Sequence, residues 1–361
     1  MKIGIPSETR PGETRVSSTP EVVKKLAAKG FEPMVECGAG VRAGYPDAEY
    51  AAAGATLTDR AGAYDVDLLL RVRRPEAEEV AAMRAGGLYI GLLESCGEDP
   101  VVAAMLAKGM RVLAMERMPR TSRAQSMDAL SSQSNIAGYR AAIEAAARFG
   151  RFFPMMMTSA GSAKPARVVV LGAGVAGLQA IATARRLGAE VHAYDVRAET
   201  REQILSLGAK PIDLDLGESG AGEGGYAKEL SAQAKARQQA ALADVLAKAH
   251  VIVTTALIPC RPAPVLVTEE TVQRMRPGSV IVDLAAANGG NCPLTVADRV
   301  VERHGVTIVG HTNYPAMVAS DASAFYAKNL ANLIEIMFDR SEQGPVLKDL
   351  TADDITKAML L

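Results

Sequence analysis

The sequence predicts an α/β protein made of two parallel-sheet domains, and three observations carry that prediction. Short β-branched runs alternate with amphipathic helical stretches along most of the chain. The 361 residues exceed what one ordinary core encloses and suffice for two. Hydrophobic residues at 48% against charged residues at 22% give either half enough apolar surface for a core of its own.

In the first 115 or so residues, strands are expected at Lys2 to Pro6, Pro33 to Glu36, Leu68 to Val72, Leu88 to Leu92 and Arg111 to Ala114. Between them lie helical stretches at Pro20 to Lys29, Asp47 to Ala53, Glu76 to Met83 and Asp99 to Lys108. The first of these places Val22, Val23, Leu26 and Ala27 on one face and stops at Gly30. A longer helix is expected over Ser131 to Arg148, with Ile136, Ala137, Ile143 and Ala147 inward. A second series comes next, with strands at Arg167 to Leu171, Glu190 to Asp195, Val251 to Thr255, Val280 to Leu284 and Thr307 to Val309. The Gly- and Glu-rich stretch Gly217 to Gly225 has no apolar period and is expected to be mobile. A last helix is expected over Ala322 to Phe338, burying Phe325, Leu330, Leu333, Ile334 and Met337. The expected division is residues 1–127 plus 311–361 in one domain and 128–310 in the other.

Net charge is −1, from 40 basic and 41 acidic residues, so no overall field favours nucleic acid or anionic lipid. Four cysteines, Cys37, Cys96, Cys260 and Cys292, stand far apart without a CxxC pair. Neither a zinc site nor a disulfide framework is expected, and a reducing cytosol is the natural home. The opening MKIGIPSETR has no apolar signal core. Apolar runs such as Val251 to Pro259 fall well short of the roughly 20 residues of a membrane helix. Any membrane role is therefore expected to come through a partner.

The strongest local signal is VVVLGAGVAGLQAIATARRLGAEVHAYD. A β-branched strand runs into Gly172, Gly174 and Gly177 in GxGxxG spacing, then into a helix and a second strand ending at Asp195. Gly172 permits the tight turn, Gly174 lets a pyrophosphate approach the backbone, and Gly177 lets helix pack on sheet. The N–H groups of Ala173, Val175 and Ala176 at the helix start face the phosphates. Asp195, about twenty residues on, can take both ribose hydroxyls and repels a 2′-phosphate, which selects NAD over NADP. Val196 and Arg197 come directly after it; Arg197 is the group that would hold a 2′-phosphate in the competing reading. The expected fold class is thus α/β, two Rossmann-like parallel-sheet domains with the nucleotide in a cleft between them at the strands' carboxyl ends.

Other catalytic signatures are missing. The sequence has neither HExxH nor GxSxG, and no His, Cys and carboxylate cluster with metal spacing, so no metal is expected. The four histidines, His192, His250, His304 and His311, lie within or near strands and read as structural. A dehydrogenase acting on a hydroxyl or amine needs a base, and none announces itself. Hydride exchange between two nicotinamides needs no base.

Three stretches carry a family resemblance: RTSRAQSMDALSSQSNIAGYRA (Arg120 to Ala141), the glycine fingerprint, and TTALIPCRPAPVLV (Thr254 to Val267). Nearly the whole chain resembles the NAD(H)-binding first domain of proton-translocating NAD(P) transhydrogenases. The opening IPSETRPGETRVSSTPEVVKKL is similar both there and in alanine dehydrogenases. The resemblance implies that Arg120, Gln125, Asp128 and Ser131 form the hydride-transfer loop. Gln125 would reach toward NADP(H) on a partner, with Arg123 beside it as a substitute, while the other three orient the NAD nicotinamide. It implies further contacts from Ala256 and Leu257, and from Tyr226 in a loop within Gly222 to Ala236 that closes over nucleotide. The competing reading of Arg120 to Ser131 is a plain linker that caps the helix after it. The resemblance also implies a homodimer docked on membrane-embedded and NADP(H)-binding subunits at the inner face of the cytoplasmic membrane. Transfer from NADH to NADP⁺ would be driven by inward proton movement, and the chain alone would turn over little.

The runner-up is an alanine dehydrogenase, whose motifs this chain departs from in three places. Its KVKEP lysine is replaced by Arg73 in RVRRP, and its histidine falls at Leu93 and Glu94 in GLLESC. Its DxAxDQGG acid becomes Ala287, and the glutamine Asn288, in VDLAAANGG. Only Arg15, which resembles a pyruvate-binding arginine, is kept. A third reading, a non-catalytic NAD sensor, would keep Gly172 to Asp195 without needing Gln125 and Asp128.

Overall fold

Two runs of alternating strand and helix produce two compact units, residues 1–133 with 315–361 and residues 134–314. The structure, a computed structural model, describes residues 1–94, 96–214 and 231–361. In the first unit the chain runs β1 (Lys2–Ile5), α1 (Pro20–Ala28), β2 (Glu32–Glu36), α2 (Asp47–Ala52), β3 (Thr56–Thr58), α3 (Arg60–Tyr64) and β4 (Leu68–Leu70). It continues through α4 (Ala77–Ala82), β5 (Leu88–Gly91), α5 (Pro100–Ala107) and β6 (Arg111–Ala114). Local chemistry sets the boundaries. Pro20 and Pro100 open their helices where a missing N–H costs nothing, and Asp99 caps α5 by accepting from Val101 N–H at 2.8 Å. The strand order is β3-β2-β1-β4-β5-β6 with every pairing parallel. Both faces are therefore covered: β4 is three leucines, all buried.

Helix α6 (Ala129–Arg148) leads out of this unit, and the division falls between Gln133 and Ser134. Its inward stripe is Ile136, Ala141 and Ala145, not the expected Ile143 and Ala147; Ala147 is exposed. Next come the hairpin β7 (Met156–Thr158) and β8 (Gly161–Ala163), β9 (Arg167–Leu171), α7 (Val175–Arg186), β10 (Glu190–Tyr194), α8 (Thr200–Ser206) and β11 (Lys210–Pro211). After the undescribed stretch come α9 (Ala232–Leu246), β12 (Val251–Thr254), α10 (Glu269–Arg274), β13 (Val280–Asp283), β14 (Val300–Arg303) and β15 (Val306–Val309). The sheet order is β11-β10-β9-β12-β13-β15-β14, parallel except for the edge pair β14 and β15. That pair is an unexpected hairpin, closed by His304 (φ 53°) and Gly305 (φ 74°), the two left-handed residues that a two-residue turn demands.

The chain then returns to the first unit with α11 (Ala319–Met337), the hairpin β16 (Phe338–Ser341) and β17 (Gly344–Leu347), and α12 (Asp354–Met359). Leu330, Leu333, Ile334 and Met337 join Ile3, Ile5, Val22 and Leu26 in one core, each contributing roughly 1.5–3 kcal/mol by burial. Phe325 does not: it is 47% exposed, and Tyr326, one residue on, takes the inward place and donates to the Arg71 carbonyl at 2.7 Å. Of the cysteines, Cys37 is an exposed free thiol and Cys292 a buried one.

Candidate functional site

In the unit of residues 134–314, β10, β9 and β12 are neighbours, and the strand order reverses between β9 and β12. Turns leaving adjacent strand ends at such a reversal open a space between them. Gly172 leaves β9 at φ +100°, a left-handed conformation reserved for glycine. A Cβ on Gly177 would sit 1.8 Å from the Gly172 carbonyl oxygen, so this helix start cannot approach β9 with any larger residue. Gly174 differs. A Cβ there would meet only an Arg197 nitrogen, at 3.9 Å, so the fold itself has room for a side chain. The missing Cβ leaves a cradle beside the first N–H groups of α7, which fits a dinucleotide pyrophosphate.

Asp195, at the end of β10, lies beside this turn. Its Oδ2 accepts from Ala173 N–H at 2.7 Å and from Arg197 Nη2 at 2.8 Å. Its Oδ1 accepts from the Arg197 backbone N–H and Nε, both at 2.9 Å. The hydrogen bond to Asp195 raises the guanidinium pKa further above its ordinary value. Arg197 is thus neutralised by the carboxylate that would face a ribose, which argues against its holding a 2′-phosphate.

The turn after β12 is held in place by residues that no sequence motif marks. Thr255 donates to the Gly172 carbonyl at 3.1 Å. The Asn291 side chain accepts from Ala256 N–H at 3.1 Å and donates to the Ala256 and Pro264 carbonyls at 2.9 and 2.8 Å. Asn291 is fixed in turn through its own N–H, which donates to buried Asp283 at 2.9 Å. Leu257 stands 42% exposed. So Gly172, Ala173, Gly174, Val175, Ala176, Gly177, Asp195, Val196, Arg197, Ala256 and Leu257 occupy three adjacent strand ends. Tyr226 and the stretch Gly217 to Gly225 lie outside the described residues.

In the other unit, Ser122–Met127 forms a 3₁₀ helix. At three residues per turn Ala124 and Met127 stack on one face, and both are buried in the core. Gln125 is left on another face and is exposed. Arg123 is occupied elsewhere, donating to Asp353 at 2.5 Å and to Asp354. Asp128 accepts from Ser131 N–H at 2.9 Å and Ser131 Oγ at 2.5 Å, capping α6 and fixing both side chains. Arg120 is exposed. Three of the four loop residues are thus positioned by 3₁₀ and capping geometry.

The positions that would matter for an amino-acid substrate are occupied from within. Arg15 is 3% exposed and donates to Glu13 at 2.8 and 2.6 Å and to Gln133 at 2.8 Å. Arg73 donates to Glu94 at 2.5 Å, and Arg10 lies 3.7 Å from the same carboxylate. The histidines serve the scaffold: His250 accepts from Arg167 N–H at 2.9 Å and stacks on Phe149. Among the described residues no group of His, Cys, Asp and Glu could hold a metal ion.

Comparison with known proteins agrees with this anatomy. Family models described as "Alanine dehydrogenase/PNT" match twice, the N-terminal domain over residues 4–137 and the C-terminal domain over 141–360. The chain is 52% identical to an NAD(P) transhydrogenase subunit alpha polypeptide of Rhodospirillum rubrum, over 96% of this chain and 93% of the relative. A crystal structure of transhydrogenase from Sinorhizobium meliloti superposes with TM-score 0.89 at 46% identity, over 100% of this chain and 98% of the other. Alanine dehydrogenase of Mycolicibacterium smegmatis is further off, at 32% identity over 97% of this chain and 91% of its own. The chain therefore belongs to the alanine dehydrogenase/PNT family, and within it stands with the alpha subunits of NAD(P) transhydrogenase rather than with the alanine dehydrogenases.

Proposed function

We propose that this chain is the NAD(H)-binding subunit of a proton-translocating transhydrogenase, exchanging hydride with NADP(H) held on a partner subunit. The observation that carries the reading is the Gly174 cradle beside Asp195, a dinucleotide seat with no substrate-binding cation left over in Arg15 or Arg73. The C4–H bond of the dihydronicotinamide breaks, and hydride with its electron pair joins C4 of the NADP⁺ nicotinamide, releasing no proton. The N–H groups of Val175, Ala176 and Gly177 in the first turn of α7 would take the pyrophosphate, and Asp195, held by the Ala173 N–H, the adenosine ribose hydroxyls. Arg120 and the fixed pair Asp128 and Ser131 would orient the nicotinamide and its carboxamide, with Gln125 directed to NADP(H). Ala256, Leu257 and Tyr226 would cover the nucleotide. No helix among the described residues is long and apolar enough to cross a membrane. In this reading, membrane-embedded partner subunits conduct the protons.

The test joins the purified chain to an NADP(H)-binding transhydrogenase subunit and measures reduction of an NADP⁺ analogue by NADH. Exchange is expected only with both proteins present, falling on the order of tenfold or more with Gln125→Asn. Alanine oxidation by the chain alone would overturn the reading.

The proposed homodimer is supported by the exposed apolar segment that leads into and enters β7. Phe152, Met155 and Met157 are 56%, 63% and 74% exposed there, side chains suited to cover by a second copy. Light scattering should give a dimer mass for the wild type and a monomer mass for Met157→Glu. A dimer that survives the substitution would move the interface elsewhere.

A further inference from the structure

We propose that Asn329 and Asn332 of α11 are positioning residues for Gln125, two side-chain amides that together fix the backbone carbonyl next to it. The inference rests on the reading of Gln125 given above. The Ser126 carbonyl accepts from Asn329 Nδ2 at 2.9 Å and from Asn332 Nδ2 at 3.0 Å, which uses both of its lone pairs. The two asparagines are three residues apart on one helix and so share a face. Asn329 is 7% exposed, and its Oδ1 accepts from Ser132 Oγ at 2.7 Å in the first turn of α6. One side chain thus ties the carbonyl before Met127 to the helix that begins after Asp128.

The apolar anchors alone would not suffice. Ala124 and Met127 fix how deep the 3₁₀ turn sits, but dispersion contacts have little direction. The half-exposed Arg123 that reaches Asp353 and Asp354 is a long, compliant tether, so together these contacts leave the turn room to rock about its own axis. The azimuth of that turn decides where Gln125 points. A carbonyl gripped by two directional donors fixes the azimuth. A purely structural role would be met by one donor, since a carbonyl is satisfied by a single partner. The second, Asn332, is only partly buried and adds little to stability that water would not replace. Its contribution is orientation. These residues lie about 200 positions from the loop in sequence, with no motif to mark them.

The test uses the complex of this chain with the NADP(H)-binding subunit and reads single-turnover hydride transfer at saturating nucleotide and partner. Asn332→Ala should lower that rate roughly five- to tenfold, as a displacement of under an ångström does to an aligned transfer. The melting temperature and the NADH affinity of the isolated chain should stay unchanged. In a Gln125→Asn background, Asn332→Ala should lower the rate less than twofold further, because both changes act through one side chain. Asn329→Ala, measured at a temperature where its fold is intact, should fall the same way. Unchanged rates for both asparagine variants beside a slow Gln125→Asn would overturn the proposal and leave the reading of Gln125 standing. Fully additive losses in the double variant would also overturn it. A normal rate for Gln125→Asn would instead remove the reading on which the proposal rests.

Discussion

Replacing Glu8 by Ala is expected to destabilise the unit of residues 1–133 and 315–361 by about 3–5 kcal/mol, since it strips a buried guanidinium of its main counter-charge. The Arg71 side chain is 0% exposed, as is that of Glu8. Glu8 accepts from Arg71 Nε and Nη2, both at 3.2 Å, and from Val72 N–H at 2.7 Å. Without it Arg71 keeps Glu79 at 2.8 Å and the Tyr64 hydroxyl, but Nε and Nη2 lose their carboxylate partner in the sheet interior. Urea unfolding monitored by circular dichroism measures the loss, and a change below about 1 kcal/mol would show that the network does not depend on Glu8. Adding Arg71→Met to Glu8→Ala should recover part of it, because the uncompensated charge goes too. Acid attacks the same network through Glu79. Burial opposes ionisation of its carboxyl, but the charge and hydrogen bond of Arg71 outweigh burial and hold the group below its ordinary value. A carboxyl depressed by folding gives stability that is complete above the unfolded-state pKa of ~4.3 and is lost as pH falls through the folded value.

The second large effect separates binding from folding. Gly174→Ala should weaken NADH binding by on the order of tenfold or more, about 1.4 kcal/mol or above, with no change in melting temperature. The backbone at φ −75° suits alanine, and the new methyl group has only Arg197, at 3.9 Å, as a neighbour, so nothing in the protein resists it. It would protrude where the pyrophosphate is proposed to lie. Gly177→Ala makes the contrast, because its methyl group meets the Gly172 carbonyl at 1.8 Å and must push α7 away from β9. That variant should lose stability and affinity together. Fluorescence titration with NADH beside thermal melts reads both, and a Gly174→Ala protein that binds NADH normally would refute the cradle.

The parts of this molecule legible in its sequence are those that local periodicity or spacing encodes. The Gly172 to Asp195 unit is readable because each glycine answers a local backbone need and the acid closes the next strand. The long helices and buried strands are readable from apolar period, within a residue or two at most ends. Edge elements are not. Strand β14 is mostly exposed and has no apolar alternation, so only the turn at His304 and Gly305 could announce it. Phe325 misleads because α11 admits two adjacent apolar stripes, and Tyr326 fills the inward one. Long-range polar partners are invisible for a different reason. Nothing local tells that Asn291 braces Ala256, that Gln133 holds Arg15, or that Asn332 reaches Ser126. In the transfer loop, the linker reading and the functional reading share a geometry, since the cap that Asp128 makes on α6 is what fixes Asp128 and Ser131.

The route of the chain through its two units reverses the usual order of maturation on the ribosome. Residues 134–314 form one unbroken segment, whereas the unit that contains β1 is completed only by α11, the β16 and β17 hairpin and α12. Domains made during synthesis fold as their last required residue emerges. The later-made unit is therefore the first able to fold. Until Tyr326, Leu330 and Leu333 arrive, β1 and α1 wait with Ile3, Ile5 and Val22 incompletely covered. The nascent protein is therefore expected to carry its sticky surface ahead of the folded unit through the translation of the whole intervening segment.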